Sequence, residues 1–267
     1  MDNQTATRLL FALTMIAVGV AGLVSGSFAP IWAGVPKSLP DRQLLAYLST
    51  FVSLACGAGL LIQRFRIWSA LVLFLFLVAW TALFKVPVII RNPLVEVAYQ
   101  SWGENAVLIA AAWVLYVWLS KTRAFPAGDT GLRLAHLVYG LALVAFGFSH
   151  FAYLNLTAPL IPRWLPPGPI FWAYFTGAAY LAAGLAIIAG IAGRLGAVGS
   201  ALQISLITLI VWGPGVVAGK FDPTNWQEPV ESWALTAAAW VVAASFVRYP
   251  WLKPLGFGEA GRRFARG

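Results

Sequence analysis

The chain has 267 residues, of which 60% are hydrophobic and 10% charged, with a mean hydropathy of +0.80. That much apolar surface cannot be hidden inside one soluble domain of this length, so composition excludes a water-soluble globule and points to lipid. The formal charge of +9 arises from 18 Lys and Arg against 9 Asp and Glu, and because the basic residues are scattered over short connections it argues for no nucleic-acid partner.

In chain order, apolar runs fall at 9–28, 44–62, 67–84, 106–119, 134–158, 170–191, 195–218 and 233–247. A spanning helix needs ~20 apolar residues. The pattern therefore predicts an all-α integral membrane fold with eight transmembrane helices, the short fourth and eighth runs each recruiting a turn on the outer side. The runs also repeat. Arg8-Leu9 matches Arg133-Leu134 and Gly22 matches Gly147 at a spacing of 125; Val35-Pro36-Lys37-Ser38-Leu39-Pro40 matches Ile161-Pro162-Arg163-Trp164-Leu165-Pro166 at 126. Ala46-Tyr47, Gly57, Pro87, Glu104 and Ala112-Trp113 match Ala173-Tyr174, Gly184, Pro214, Glu231 and Ala239-Trp240 at 127. The expected organisation is a four-helix unit over 1–124, a second over 125–250, and a basic tail over 251–267.

Four helices per unit is an even number, so each unit starts and ends on one face, which gives parallel repeats and disfavours inverted-repeat transporter folds. The first apolar run has a counterpart in mid-chain and so reads as a structural helix rather than a cleaved leader. Lys and Arg divide 12 to 6 in favour of the side shared by both termini. That bias places both termini in the cytoplasm and, with the tail RRFARG, against anionic lipid.

Both proline-rich stretches then fall on the outer face. In APLIPRWLPPGP the prolines lack backbone donors and push their predecessors out of helix, so the chain must bend between the fifth and sixth helices. One reading is a stiff interfacial turn anchored by Trp164. The other is a lid over an outward-opening cavity, where irregular backbone at membrane depth is tolerated.

The succession FGFSHF, then IPRWLPPGPIFWAYFTGAAYLAAGLAII, resembles the DoxX family of small four-helix membrane proteins. The family pattern lands on Gly147, His150, Pro162, Pro166, Thr176, Gly177 and Gly184. The first unit keeps Gly22, Pro36, Pro40 and Gly57, with Ser25 at the histidine position, and Tyr180 stands where many relatives carry a glutamate. The resemblance implies a bacterial inner-membrane protein associated with respiratory or thiol redox systems, similar to the membrane part of thiosulfate:quinone and quinol oxidoreductases.

Self-contained redox chemistry is excluded by the residues themselves. His136 and His150 are the only histidines; on one helix they stand ~21 Å apart at ~1.5 Å per residue, so they share no metal and supply no bis-histidine haem. Cys56 is the only cysteine and sits in mid-helix, a small apolar filler. The glycines of GAAYLAAGLAIIAG suit close helix packing rather than a nucleotide. A redox role must borrow a partner subunit's cofactor or handle a quinone, which carries its own electrons. No metal and no cofactor held by the chain's own motifs are expected.

Polar residues inside spans are costly and so informative. The second unit carries His150, Tyr174, Thr176, Tyr180 and Gln203 where the first has Ser25, Tyr47, Ser49, Ser53 and Phe76. A pocket is expected between the fifth, sixth and seventh helices toward the outer leaflet, roofed by the proline loop with Trp164. The blander alternatives are that His150 satisfies loop carbonyls and that Tyr180 and Gln203 bond each other. A second polar cluster, Lys85, Arg91, Glu104 and Glu231, lies at the outer side. Either the carboxylates complement helix N-termini, or a cation pairs with Glu104 to build a polar vestibule. The functional expectation is a membrane subunit or accessory of a quinone-linked redox system that binds a lipophilic ligand. The competing class is non-enzymatic, either a scaffold or chaperone-like protein or a carrier of small lipophilic molecules.

Overall fold

The computed structural model describes residues 2–220 and 226–252; most of the basic tail, from 253 onward, lies outside the described residues. The chain is 78% helical, with no strand among the described residues. Eight long helices follow in order: α1 (Asn3–Ser25), α2 (Arg42–Leu61), α3 (Arg66–Arg91), α4 (Glu96–Leu119), α5 (Gly128–Ala152), α6 (Pro169–Ala189), α7 (Gly193–Val217) and α8 (Gln227–Ser245). The first seven are long and apolar enough to cross a membrane, as in a multi-pass membrane protein. The 19 residues of α8 include Glu228 and Glu231.

Local chemistry sets the ends. The Asp2 carboxylate caps α1 by accepting the Thr5 N–H at 2.7 Å, and α1 stops at Gly26, whose φ of 58° an L side chain would resist. Proline at the first helical position starts α6 after Gly168 at φ 144°. α4 begins at Glu96, ten residues before the apolar run at 106–119, and α8 begins at Gln227, six before the run at 233–247. The helical ladder extends outward through polar residues that a hydropathy window rejects. α5 is shifted the other way: it starts at Gly128 and stops at Ala152, and the apolar residues after it form the turns Leu154–Thr157 and Ala158–Leu160 ahead of the prolines.

α3 and α7 share a device. Each continues past an internal proline, Pro87 or Pro214, because one wide turn precedes it, a π-turn at Thr81–Lys85 in α3 and at Thr208–Trp212 in α7. The wider turn accommodates the missing donor and the bulk of the ring. The two π-turns are 127 residues apart at both ends.

α1 packs on α2, α2 on α3 and α3 on α4; α5 packs on α6, α6 on α7 and α7 on α8. The two sets meet where α4 contacts α5, α1 contacts α8, and α4 contacts α8. Both α4 and α8 carry buried runs of short side chains: Ala110, Ala111, Ala112, Ala237, Ala238 and Ala239 are all fully buried. Close approach elsewhere depends on glycine. A Cβ on Gly184 would stand 2.6 Å from the Gly140 carbonyl oxygen, and one on Gly57 would stand 2.9 Å from the Ala12 carbonyl oxygen. Small residues let backbones approach in lipid, where van der Waals contact replaces the hydrophobic effect as the driving force. Outward-facing Leu13, Phe51, Trp68, Leu83, Phe171 and Leu209 stay exposed, as a lipid-facing surface requires.

The two proline-rich loops differ. Pro30–Trp32 forms a buried single turn of 3-10 helix that packs on α8, whereas Ala158–Leu160 forms a partly exposed turn that packs on α6.

Candidate functional site

A cleft of roughly 850 Å³ opens among α4, α5, α6, α7 and α8. Along α7 it runs from Gly196 to Val211, which at ~1.5 Å per residue is about 22 Å. Its walls are mostly apolar: Phe146, Phe175, Ala179, Ala183, Ile204 and Ile207 are representative. Thr157, Leu160, Ile161, Pro162 and Leu165 of the proline loop border it.

His150, Thr176, Tyr180 and Gln203 all line this space. His150 ends α5 with its Nδ1 2.8 Å from the Phe146 carbonyl oxygen. A carbonyl only accepts, so in the neutral ring Nδ1 carries the proton and Nε2 keeps a free lone pair. The imidazole lies 5.4 Å from the Tyr180 ring, which in turn packs edge-on against Phe146. Thr176 spends its hydroxyl on the Trp172 carbonyl at 2.7 Å. Gln203 donates from Nε2 to the Thr176 carbonyl at 2.9 Å and hydrogen-bonds the Tyr180 side chain, so α6 and α7 are joined at mid-depth. Tyr174 and Trp164 are outside the cleft. Tyr174 packs on Phe151 at 5.7 Å and is half exposed, and Trp164 projects from the loop with 69% of its surface exposed.

Residues from the other two helices complete the polar end. Gln100 and Glu104 of α4 and Glu228, Glu231 and Ser232 of α8 all border the cleft. The Glu104 and Glu231 side chains lie close enough to interact directly. Lys85, buried at the π-turn of α3, donates to Ser101 Oγ at 2.6 Å and acts electrostatically on both carboxyls. Arg91 is exposed at the far end of α3. Of the outer polar cluster, the structure thus brings Lys85, Glu104 and Glu231 together and leaves Arg91 apart.

Sequence reasoning missed Trp172, Gln100 and Ser232 as lining residues. The Gln100–Glu104 pair, four apart on one helix face and repeated as Gln227–Glu231, was the available signal.

His136 has a different setting at the opposite end of α5. Ser245 Oγ donates to the Val242 carbonyl at 2.6 Å, so His136 Nε2 donates to Ser245 Oγ at 2.7 Å, while the ring stacks on Phe246 at 3.9 Å. This histidine is a packing and hydrogen-bonding element between α5 and α8. No group of three or more His, Cys, Asp or Glu suited to a metal occurs among the described residues, and Cys56 is buried as a free thiol.

Among the described residues bordering the cleft none is Lys or Arg, and His150 Nε2, the Gln203 amide oxygen, several hydroxyls and the carboxyls offer acceptor atoms. Such a surface has the chemistry to accommodate an elongated apolar molecule with a hydrogen-bonding polar head. Scans against protein-family models, curated proteins and solved structures return no match for this chain.

Proposed function

We propose that the chain consists of two four-helix units, each spanning the bilayer four times with both termini cytoplasmic, and that the second unit binds a lipophilic ligand with a hydrogen-bonding head. An isoprenoid hydroquinone is the ligand class we favour, in a bacterial inner-membrane protein that serves as subunit or accessory of a quinone-linked redox system. The doubling is supported by the 125–127 spacing of the sequence matches, by the paired π-turns, and by helix contacts that map onto themselves when each helix is advanced by four. α8 is the eighth span in this reading, with its carboxyls facing the cleft rather than lipid.

The observation that carries the ligand reading is the 22 Å apolar cleft that ends on hydrogen-bond acceptors. Its length suits an isoprenoid tail and its polar end suits a phenolic head. The quinone-linked role is motivated by the DoxX-like residues Gly147, His150, Pro162, Pro166, Thr176, Gly177 and Gly184. Any electrons would come with the ligand or from a partner subunit, because the chain offers no redox group of its own.

The test is a titration of purified protein with short-chain isoprenoid hydroquinone, followed by tryptophan fluorescence, since Trp172 and Trp212 border the cleft. Saturable quenching is expected, stronger for the hydroquinone than for the oxidised quinone, because the free lone pair of His150 Nε2 accepts from an O–H that only the reduced form has. Absence of saturation at tens of micromolar would leave the scaffold as the better account.

A further inference from the structure

We infer that the first unit contains a closed copy of this site, occupied by the chain's own Trp32, and that Trp32 therefore identifies the ligand head as a planar aromatic ring bearing an N–H or O–H donor. The inference rests on the two-unit reading above and specifies the ligand class of the same cleft.

Trp32 is fully buried in the outer loop of the first unit. Its indole Nε1 donates to Ser53 Oγ at 2.8 Å, and its ring meets Phe76 at 5.2 Å and Trp80 at 5.2 Å, both edge-on. Ser53 passes its own proton to the Ser49 carbonyl at 2.9 Å, so it is available to the indole as an acceptor. Moving each contact residue on by 127 gives Tyr180 for Ser53, Gln203 for Phe76 and Ile207 for Trp80. All three border the open cleft.

The second unit supplies no side chain to fill this space. Trp32 aligns at 126 with Ala158, whose turn packs on α6 instead of entering the bundle. The wall residues have changed in the complementary sense. Two aromatics that close around the indole, Phe76 and Trp80, are replaced by Gln203 and the smaller Ile207, while the acceptor Ser53 is replaced by Tyr180, whose hydroxyl both donates and accepts. One unit thus holds a tethered ring, and the other holds ring-sized space with polar groups at the matching place. An indole, phenol or hydroquinone fills that space and can hydrogen-bond the Tyr180 hydroxyl, which an acyl chain cannot do.

Equilibrium dialysis with indole as the probe tests this directly, with N-methylindole, the same ring without the donor, as the control for partition into detergent. Wild-type protein should take up one indole per chain above that control, with N-methylindole binding about tenfold more weakly for want of one hydrogen bond. Ile207→Trp, which restores to α7 the ring that α3 carries at position 80, should abolish the uptake. Trp32→Ala should raise the stoichiometry from one to two, and Trp32→Ala with Ser53→Ala should return it to one. The inference is overturned if wild type binds no indole, if the two probes bind equally, or if Ile207→Trp binds as wild type does. A folded Trp32→Ala that still binds one also overturns it; the Ile207→Trp and N-methylindole arms decide the matter without that variant. Failure of the hydroquinone titration alongside donor-dependent indole uptake would remove the quinone reading and leave this one standing.

Discussion

At the scale of single residues, the proposed second unit carries larger polar groups than the first at a few matched positions, and the structure places most of them around one space. His150, Thr176, Tyr180 and Gln203 converge there, while Tyr174 and Trp164 do not. That division makes a sharp prediction for binding of isoprenoid hydroquinone measured by fluorescence quenching. His150→Ala and Tyr180→Phe should each weaken it about tenfold, the effect of one hydrogen bond within a buried site. Tyr174→Phe and Trp164→Ala should leave it within about twofold, because both side chains lie outside the cleft. The outer-side position of Trp164 had made it a candidate roof; its 69% exposure reflects prolines that turn the loop outward at that residue, with Leu165 bordering the cleft instead. The sequence could expose the cost of each polar residue in a span, but not its azimuth. Tyr174 and Thr176 are two apart on a helix and so point about 200° from each other.

At the scale of elements, the helices meet through alanine and glycine, and packing is least forgiving there. Ala238→Leu would drive three extra carbons into the packed interior around α8, and Gly184→Val would collide with the Gly140 carbonyl oxygen across α5 and α6. Each should lower stability by about 1–3 kcal/mol, read as a fall in the thermal unfolding midpoint in detergent. The same substitution at an exposed position such as Gly199, where a Cβ meets no atom within 4 Å, should change it by less than about 0.5 kcal/mol. Much at this scale was legible beforehand. Each of the eight long helices overlaps one of the apolar runs. What hydropathy could not locate was the outer extension of α4 and α8, since Glu96, Gln100, Glu104, Glu228 and Glu231 are costly in lipid and tolerable only beside a cleft or a partner helix. Nor did it place Lys85, which lies inside α3 because a π-turn carries the helix through Pro87. The occupant of the first unit was invisible for a related reason. A tryptophan in a proline-rich outer loop reads as an interfacial anchor, and only the fold turns Trp32 inward.

At the scale of the molecule, the account is of one lipid-embedded chain in which a duplicated bundle has kept one copy closed on its own side chain and left the other open. The distribution of Lys and Arg, 12 against 6, is what motivates the proposed topology. Reporter fusions at residues 1 and 267 should both report the cytoplasmic face, and fusions in the loops around 37 and 163 the opposite one; termini on different faces would contradict the even helix count per unit. The asymmetry between the units is the central claim, and photolabelling tests it most directly. Protein in lipid vesicles is irradiated with an aryl-azide isoprenoid probe and the labelled peptides are mapped by mass spectrometry. The account predicts label within 146–212, suppressed by excess hydroquinone, and none above background within 19–85. Equal competitor-sensitive labelling of both segments, or labelling confined to the outward apolar surface and indifferent to competitor, would contradict it.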